Sequence, residues 1–153
     1  MAHTAADCIS SPAVGAGHRL RVTIAGQTSP VSSASVSLAY RAPRITSISG
    51  PGADKAVTPG GQSVLLTGDY FGPSTPASAD GIPLPTSLVP TVRYGHTGTN
   101  ASAAFAATFP PSSLRYMAAN CRVTSDHTQV TCTTAPGTGK ELRWEIKIGR
   151  AHV

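Results

Sequence analysis

The sequence predicts an all-β fold of short antiparallel strands. Charged residues make up only 12% of the chain, about half the usual share, whereas glycine (15) and proline (13) are plentiful. Apolar residues recur at alternate positions in several short runs, and turn-forming residues separate those runs. No segment keeps a helical period for long; the nearest, residues 112–119, has room for two turns at most. At 153 residues and 40% apolar content, the chain can bury one core.

Taken in order, residues 18–24 alternate with Leu20, Val22 and Ile24 on one face. Gly26 to Pro30 is a turn, and residues 33–40 alternate again, with Ala34, Val36, Leu38 and Tyr40 on one face. This reads as a hairpin over 18–40. Residues 44–49 form a brief strand broken by Gly50-Pro51-Gly52. A strand over 62–68 with an apolar centre follows Gly60-Gly61, and Asp69-Tyr70-Phe71-Gly72 ends it, with Tyr70 and Phe71 expected to be exposed and to pack on the turn. Residues 73–90 are a proline- and serine-rich loop, 91–94 a short strand, and 103–109 a further candidate strand. The clearest half-buried strand is 142–148: Leu142, Trp144, Ile146 and Ile148 lie on one face, Arg143, Glu145 and Lys147 on the other.

Between them lies the stretch that organises the chain. Two runs, 121–124 and 129–132, flank the polar cluster Ser125-Asp126-His127-Thr128. Folded about Asp126-His127, they set Cys121 opposite Cys132 and Val123 opposite Val130 on one face. A disulfide packed against a core is the expectation. Such a bond, closing a loop of about a dozen residues, is worth roughly 3 kcal/mol in the loop-entropy argument. A metal site needs about four ligands, and only His127 is near; no neighbour activates either thiol. The pair therefore implies an oxidising compartment.

The two ends of the chain also repeat each other. At an offset of 124 residues, the separation of Cys8 from Cys132, Pro12 falls on Pro136, Gly15 on Gly139 and Arg19 on Arg143. Leu20, Val22 and Ile24 fall on Trp144, Ile146 and Ile148. Residues 1–40 thus read as the C-terminal end of one unit and 44–148 as the next unit, lacking its final strand. Cys8 would then have its partner upstream, which accounts for an odd cysteine count of 3. Residues 148–153 resemble the translation of a common sequencing adapter, so 149–153 are expected to be a non-native tail, and Met1 an internal methionine.

The assembled motifs resemble an IPT/TIG domain, the immunoglobulin-like module of plexins, Met-type receptors and many surface proteins. Residues 43–51 are similar to the family's opening strand, 60–72 to its glycine pair, second strand and aromatic-Phe-Gly ending, and 92–95 to its third strand. Residues 121–136 resemble the cysteine hairpin of its extracellular members. The loops at 73–90 and 96–119 are longer than the pattern. The resemblance implies an immunoglobulin-like antiparallel β-sandwich of the E-set type. It also implies a non-catalytic interaction or adhesion module in a tandem array on a secreted or surface protein, whose parent could be membrane-anchored. Its partners would be protein or glycan ligands and neighbouring repeats. Two alternatives stand beside it: an IPT/TIG domain of an intracellular DNA-binding transcription factor, and an accessory domain of a carbohydrate-active enzyme.

The remaining residues add little chemistry. Net charge is +5, but the arginines are scattered, so nucleic acid is not signalled. His3, His18, His96, His127 and His152 are not in ligand spacing, the carboxylates form no dyad, and no G-x-S-x-G turn occurs. No catalytic residue, cofactor or metal is therefore expected. Asn100-Ala101-Ser102 is an N-glycosylation sequon, which fits a secreted chain. Trp144 is expected in the core rather than as a ligand platform.

Overall fold

The computed structural model describes residues 4–74, 89–96 and 114–149. These form strands and no helix, all paired antiparallel. The first four are short: β1 (His18–Arg19), β2 (Thr23–Ile24), β3 (Gln27–Thr28) and β4 (Ser37–Leu38). The body contains β5 (Arg44–Ser49), β6 (Ser63–Asp69), β7 (Thr91–Gly95), β8 (Tyr116–Met117), β9 (Ala119–Ser125), β10 (Gln129–Thr133) and β11 (Arg143–Lys147). One sheet has the order β5-β6-β10-β9 and the other β11-β7-β8. They enclose one core, so the body is a β-sandwich.

The period-two pattern decides which residues enter that core. Val64 and Leu66 of β6, Val130 and Cys132 of β10, and Val92 and Tyr94 of β7 are buried at alternate positions. Each fully buried Val or Leu contributes about 1.5–3 kcal/mol. In β5 the apolar residues are Ile45 and Ile48, three apart, which a regular strand would send to opposite faces. A bulge between Ile45 and Ser47 resolves this: Ile45 pairs with Gly68 and Ile48 with Leu66. Both isoleucines then pack on the core.

Gly68 is needed where that bulge closes. A Cβ there would overlap the carbonyl oxygen of Arg44 and lie 2.7 Å from the Phe71 ring. Phe71 itself corrects the sequence reading, which placed it exposed in a turn. Tyr70 (φ +63°) and Gly72 (φ +82°) both take the left-handed conformation, and the Phe71 ring between them is fully buried. Tyr70 stays exposed, as expected.

A corner links the two sheets. Ala118 N–H donates to the Val92 carbonyl at 2.9 Å in the three-stranded sheet, and β9 then begins in the other sheet. Asn120 (φ +52°) sits in the bend. The few helical turns allowed for 112–119 do not form over Tyr116–Met117, which is β8 instead. The candidate strand at 103–109 lies outside the described residues.

The N-terminal hairpin forms with one change. β2 and β3 join through Ala25-Gly26, both at positive φ (48° and 80°), as a type I′ turn demands. β1 pairs with β4. The expected continuous strand over 33–40 is interrupted, because Val36 N–H bonds back to the Ser33 carbonyl at 3.1 Å and Ser32 Oγ donates to the Val36 carbonyl at 2.6 Å. Serine side chains here compete with the ladder for backbone groups.

The backbone repeats where the sequence does. Within 8–25 the left-handed residues are Gly15 (φ +98°), Gly17 (+71°) and Ala25 (+48°). Within 132–149 they are Gly139 (+133°), Glu141 (+55°) and Gly149 (+75°), each at the same offset of 124. Two of these positions hold different residues in the two copies, so residue identity alone does not produce the match.

Candidate functional site

Built from its residues, the most elaborate local structure surrounds the cysteine hairpin. Val123 pairs with Val130 as the sequence implied. The turn closes with Thr128 N–H on the Ser125 carbonyl at 3.2 Å, and His127 has φ +62°, the sign a type II turn needs at its third residue. Between Thr131 and Thr133 the register shifts. Cys121 and Cys132 are joined there as a disulfide, with Cα atoms 4.2 Å apart. Both are buried on the inner face, in contact with the core. Cys8 is free and exposed.

The tip of the hairpin is fastened to the end of β6. His127 N–H donates to the Gly72 carbonyl at 2.7 Å, and Phe71 N–H donates to the His127 carbonyl at 3.0 Å. Asp126 Oδ1 accepts the Ser74 N–H at 2.7 Å. Hydrogen bonds from Ser74, side chain first and backbone second, hold the Asp126 carboxyl below its ordinary range, and His127 adds to this.

After Cys132 the chain is clamped from two sides. Gly61 N–H donates to the Thr134 carbonyl and Gly137 N–H to the Thr58 carbonyl, both at 2.9 Å. On the other side two tyrosine hydroxyls each bond both backbone groups of a single residue. Tyr94 Oη donates to the Ala135 carbonyl (3.1 Å) and accepts the Ala135 N–H (2.9 Å). Tyr116 Oη does the same for Thr138, at 2.9 and 3.2 Å. Trp144 is half-buried and stacks on Tyr94 at 4.2 Å between ring centroids, so it packs against the core from its margin. The sequence did not reveal the tyrosine clamps; the signal was weak, two tyrosines in unrelated segments.

A second constellation joins the N-terminal hairpin to the sandwich. Val14 is buried against Gly72 and Gly149. Its carbonyl lies 2.9 Å from His18 Nε2, and His18 packs edge-on against Tyr40. Arg41 Nη1 donates to Tyr70 Oη at 2.8 Å, with the guanidinium carbon 5.5 Å from the Tyr70 ring centroid. This pins the connector between the two parts.

The other singled-out residues are dispersed. His96 lies near Gly139, and Glu145 is on the outer face of β11. Among the described residues, no group of three His, Cys, Asp or Glu side chains is placed to hold a metal, and no helix is long and apolar enough to cross a membrane. Asn100, His3 and His152 lie outside the described residues. No family model, curated protein or solved structure matches this chain.

Proposed function

We propose that the chain is part of a tandem array of IPT/TIG-type modules that serves as a non-catalytic interaction or adhesion element of a secreted or surface protein. The observation that carries this reading is the backbone repeat. Equivalent positions take the left-handed conformation at Gly15 and Gly139, Gly17 and Glu141, Ala25 and Gly149.

The exposure of the repeated strand supports it. Val22 and Ile24 are 48% and 67% exposed, whereas their equivalents Ile146 and Ile148 are 8% and 5% exposed. The same apolar face is covered in one copy and bare in the other, as expected of a unit whose remaining strands come from elsewhere in a longer array. The buried Cys121–Cys132 bond favours an oxidising, extracellular setting. The Val14 and Arg41–Tyr70 contacts would set the angle between successive modules.

Non-reducing peptide mass spectrometry of protein folded under oxidising conditions tests the setting. The expected product is a linked Cys121–Cys132 peptide with Cys8 free. Free thiols at both Cys121 and Cys132 would sink the extracellular reading.

A further inference from the structure

The three-stranded sheet ends at β11, which among the described residues has one hydrogen-bonded neighbour, β7; β5 of the other sheet approaches it without pairing. The direction of its unpaired backbone groups follows from the ladder. In an antiparallel sheet a residue's N–H and C=O point to the same side, and the side alternates along the strand. The Val92 carbonyl accepts from Ala118 in β8's direction. Val92 therefore directs its polar groups away from β11, and its pair with Ile146 is of the non-hydrogen-bonded kind. Ile146, and by alternation Trp144, turn their N–H and C=O away from β7, to an edge that no strand pairs among the described residues. The close Trp144–Tyr94 ring stack fits this, since side chains approach most closely in such pairs.

In the first copy the equivalent positions are Leu20 and Val22, and their backbone groups are taken. The Val22 carbonyl accepts the Ser29 N–H and the Leu20 carbonyl accepts the Ser32 N–H, both at 2.9 Å. Val22 N–H donates to Ser29 Oγ at 3.1 Å and Leu20 N–H to Ser32 Oγ at 3.0 Å. The turn that returns the chain there begins with left-handed Ala25, and Gly149, its equivalent, is left-handed too (φ +48° and +75°). One copy thus has the acceptor edge filled, and the other presents the same edge in the same sense.

We propose that the open edge of β11 is a strand-acceptor site, whose occupant is an antiparallel segment with the chemistry of residues 27–38: short, serine-rich, with donors spaced to reach Trp144 and Ile146. Recognition is main-chain addition to a sheet edge. The inference rests on the repeat reading but not on the extracellular one.

The test adds a synthetic peptide of residues 27–40, at about 1 mM, to the full chain and follows amide hydrogen exchange. The Trp144 and Ile146 amides are expected to slow about tenfold or more, while those of Arg143, Glu145 and Lys147, already directed at β7, stay unchanged. Fluorescence of Trp144, the single tryptophan, should report the same saturation. A peptide carrying Ser29→Pro and Ser32→Pro lacks both donors and should be inert. A second version supplies the strand covalently, with residues 150–153 replaced by a copy of residues 26–40, and the same amides should be protected without added peptide. No protection in either format, equal action of the proline peptide, or uniform slowing along β11 would each overturn the proposal. So would protection in the unmixed chain accompanied by a dimer on size-exclusion chromatography, which would make the occupant a second β11. An intact Cys121–Cys132 bond in protein that fails this test leaves the extracellular reading standing.

Discussion

The hydroxyl of Tyr94 donates to the carbonyl of Ala135 and accepts its N–H, at 3.1 and 2.9 Å. One side chain from the three-stranded sheet thus satisfies both backbone groups of a residue that follows a strand of the other sheet. The clamp holds the segment leaving Cys132 where it can turn into β11. Replacing the hydroxyl leaves two part-buried backbone groups without partners, which costs roughly 1–3 kcal/mol. Tyr94→Phe is therefore expected to lower the urea midpoint with the m-value unchanged. Tyr116→Phe removes the analogous but exposed clamp on Thr138 and should cost less. Equal losses for the two variants would refute the difference in burial as the cause.

The same tyrosine makes stability depend on alkaline pH. Burial pushes the Tyr94 hydroxyl above its ordinary value of 10.0, opposed in part by the Ala135 hydrogen bond and assisted by Tyr116. A raised folded pKa means that the unfolded chain loses the proton first. The contribution is whole below the unfolded value and is lost as pH rises from there through the folded value. Stability should fall above about pH 10, and Tyr94→Phe should flatten that fall. Asp126 acts in the opposite direction: Ser74 lowers its folded value, so its contribution is present above the unfolded value and fades as pH drops through the folded one. Urea titrations of Asp126→Asn should lose part of the acid limb below about pH 4.

How much of this was legible beforehand follows from the physics of each element. The all-β class, the outward charges of β11 and the Val123–Val130 pairing depend on period-two alternation, which sequence carries directly. The cysteine pair was legible because the hairpin is local. Phe71 was misread because its burial depends on left-handed Tyr70 and Gly72, and for a tyrosine that conformation has no sequence signature. The bulge at Ile45–Ser47 was invisible because it answers to the register against β6, which alternation within β5 does not encode. The break at Ser33–Val36 arises from serine hydroxyls competing for backbone groups, which alternation does not encode. The tyrosine clamps link residues 94 to 135 and 116 to 138 across sheets, and only the assembled fold brings them together.

Reduction of the disulfide is expected to destabilise the sandwich. The bond spans a sequence separation of 11, for which loop entropy gives roughly 3 kcal/mol. Cys121→Ala/Cys132→Ala should lose a similar amount, measured by urea unfolding in oxidised and reduced buffer. Since both sulfurs lie inside the core, the doubly substituted protein should also show a further small loss from the space left behind. If the oxidised wild type and the reduced wild type unfold at the same midpoint, the bond does not stabilise the native state.

Substitution at the left-handed positions tests the backbone equivalence of the two copies. Glu141 is exposed and has φ +55°, where an L-residue with a Cβ is strained by about 1–2 kcal/mol. Its equivalent in the first copy, Gly17, has φ +71° and carries no such strain. Glu141→Gly removes the strain but enlarges the unfolded chain's freedom by about 0.4–1 kcal/mol. A net gain of up to about 1 kcal/mol is the expected balance. Gly17→Ala should go the other way, because it adds a Cβ at the same conformation, although nothing lies within 4 Å to clash with it. The opposite signs are the diagnostic. They follow only if residues 17 and 141 hold the same backbone geometry in solution, and paired thermal melts of the two variants against wild type measure both.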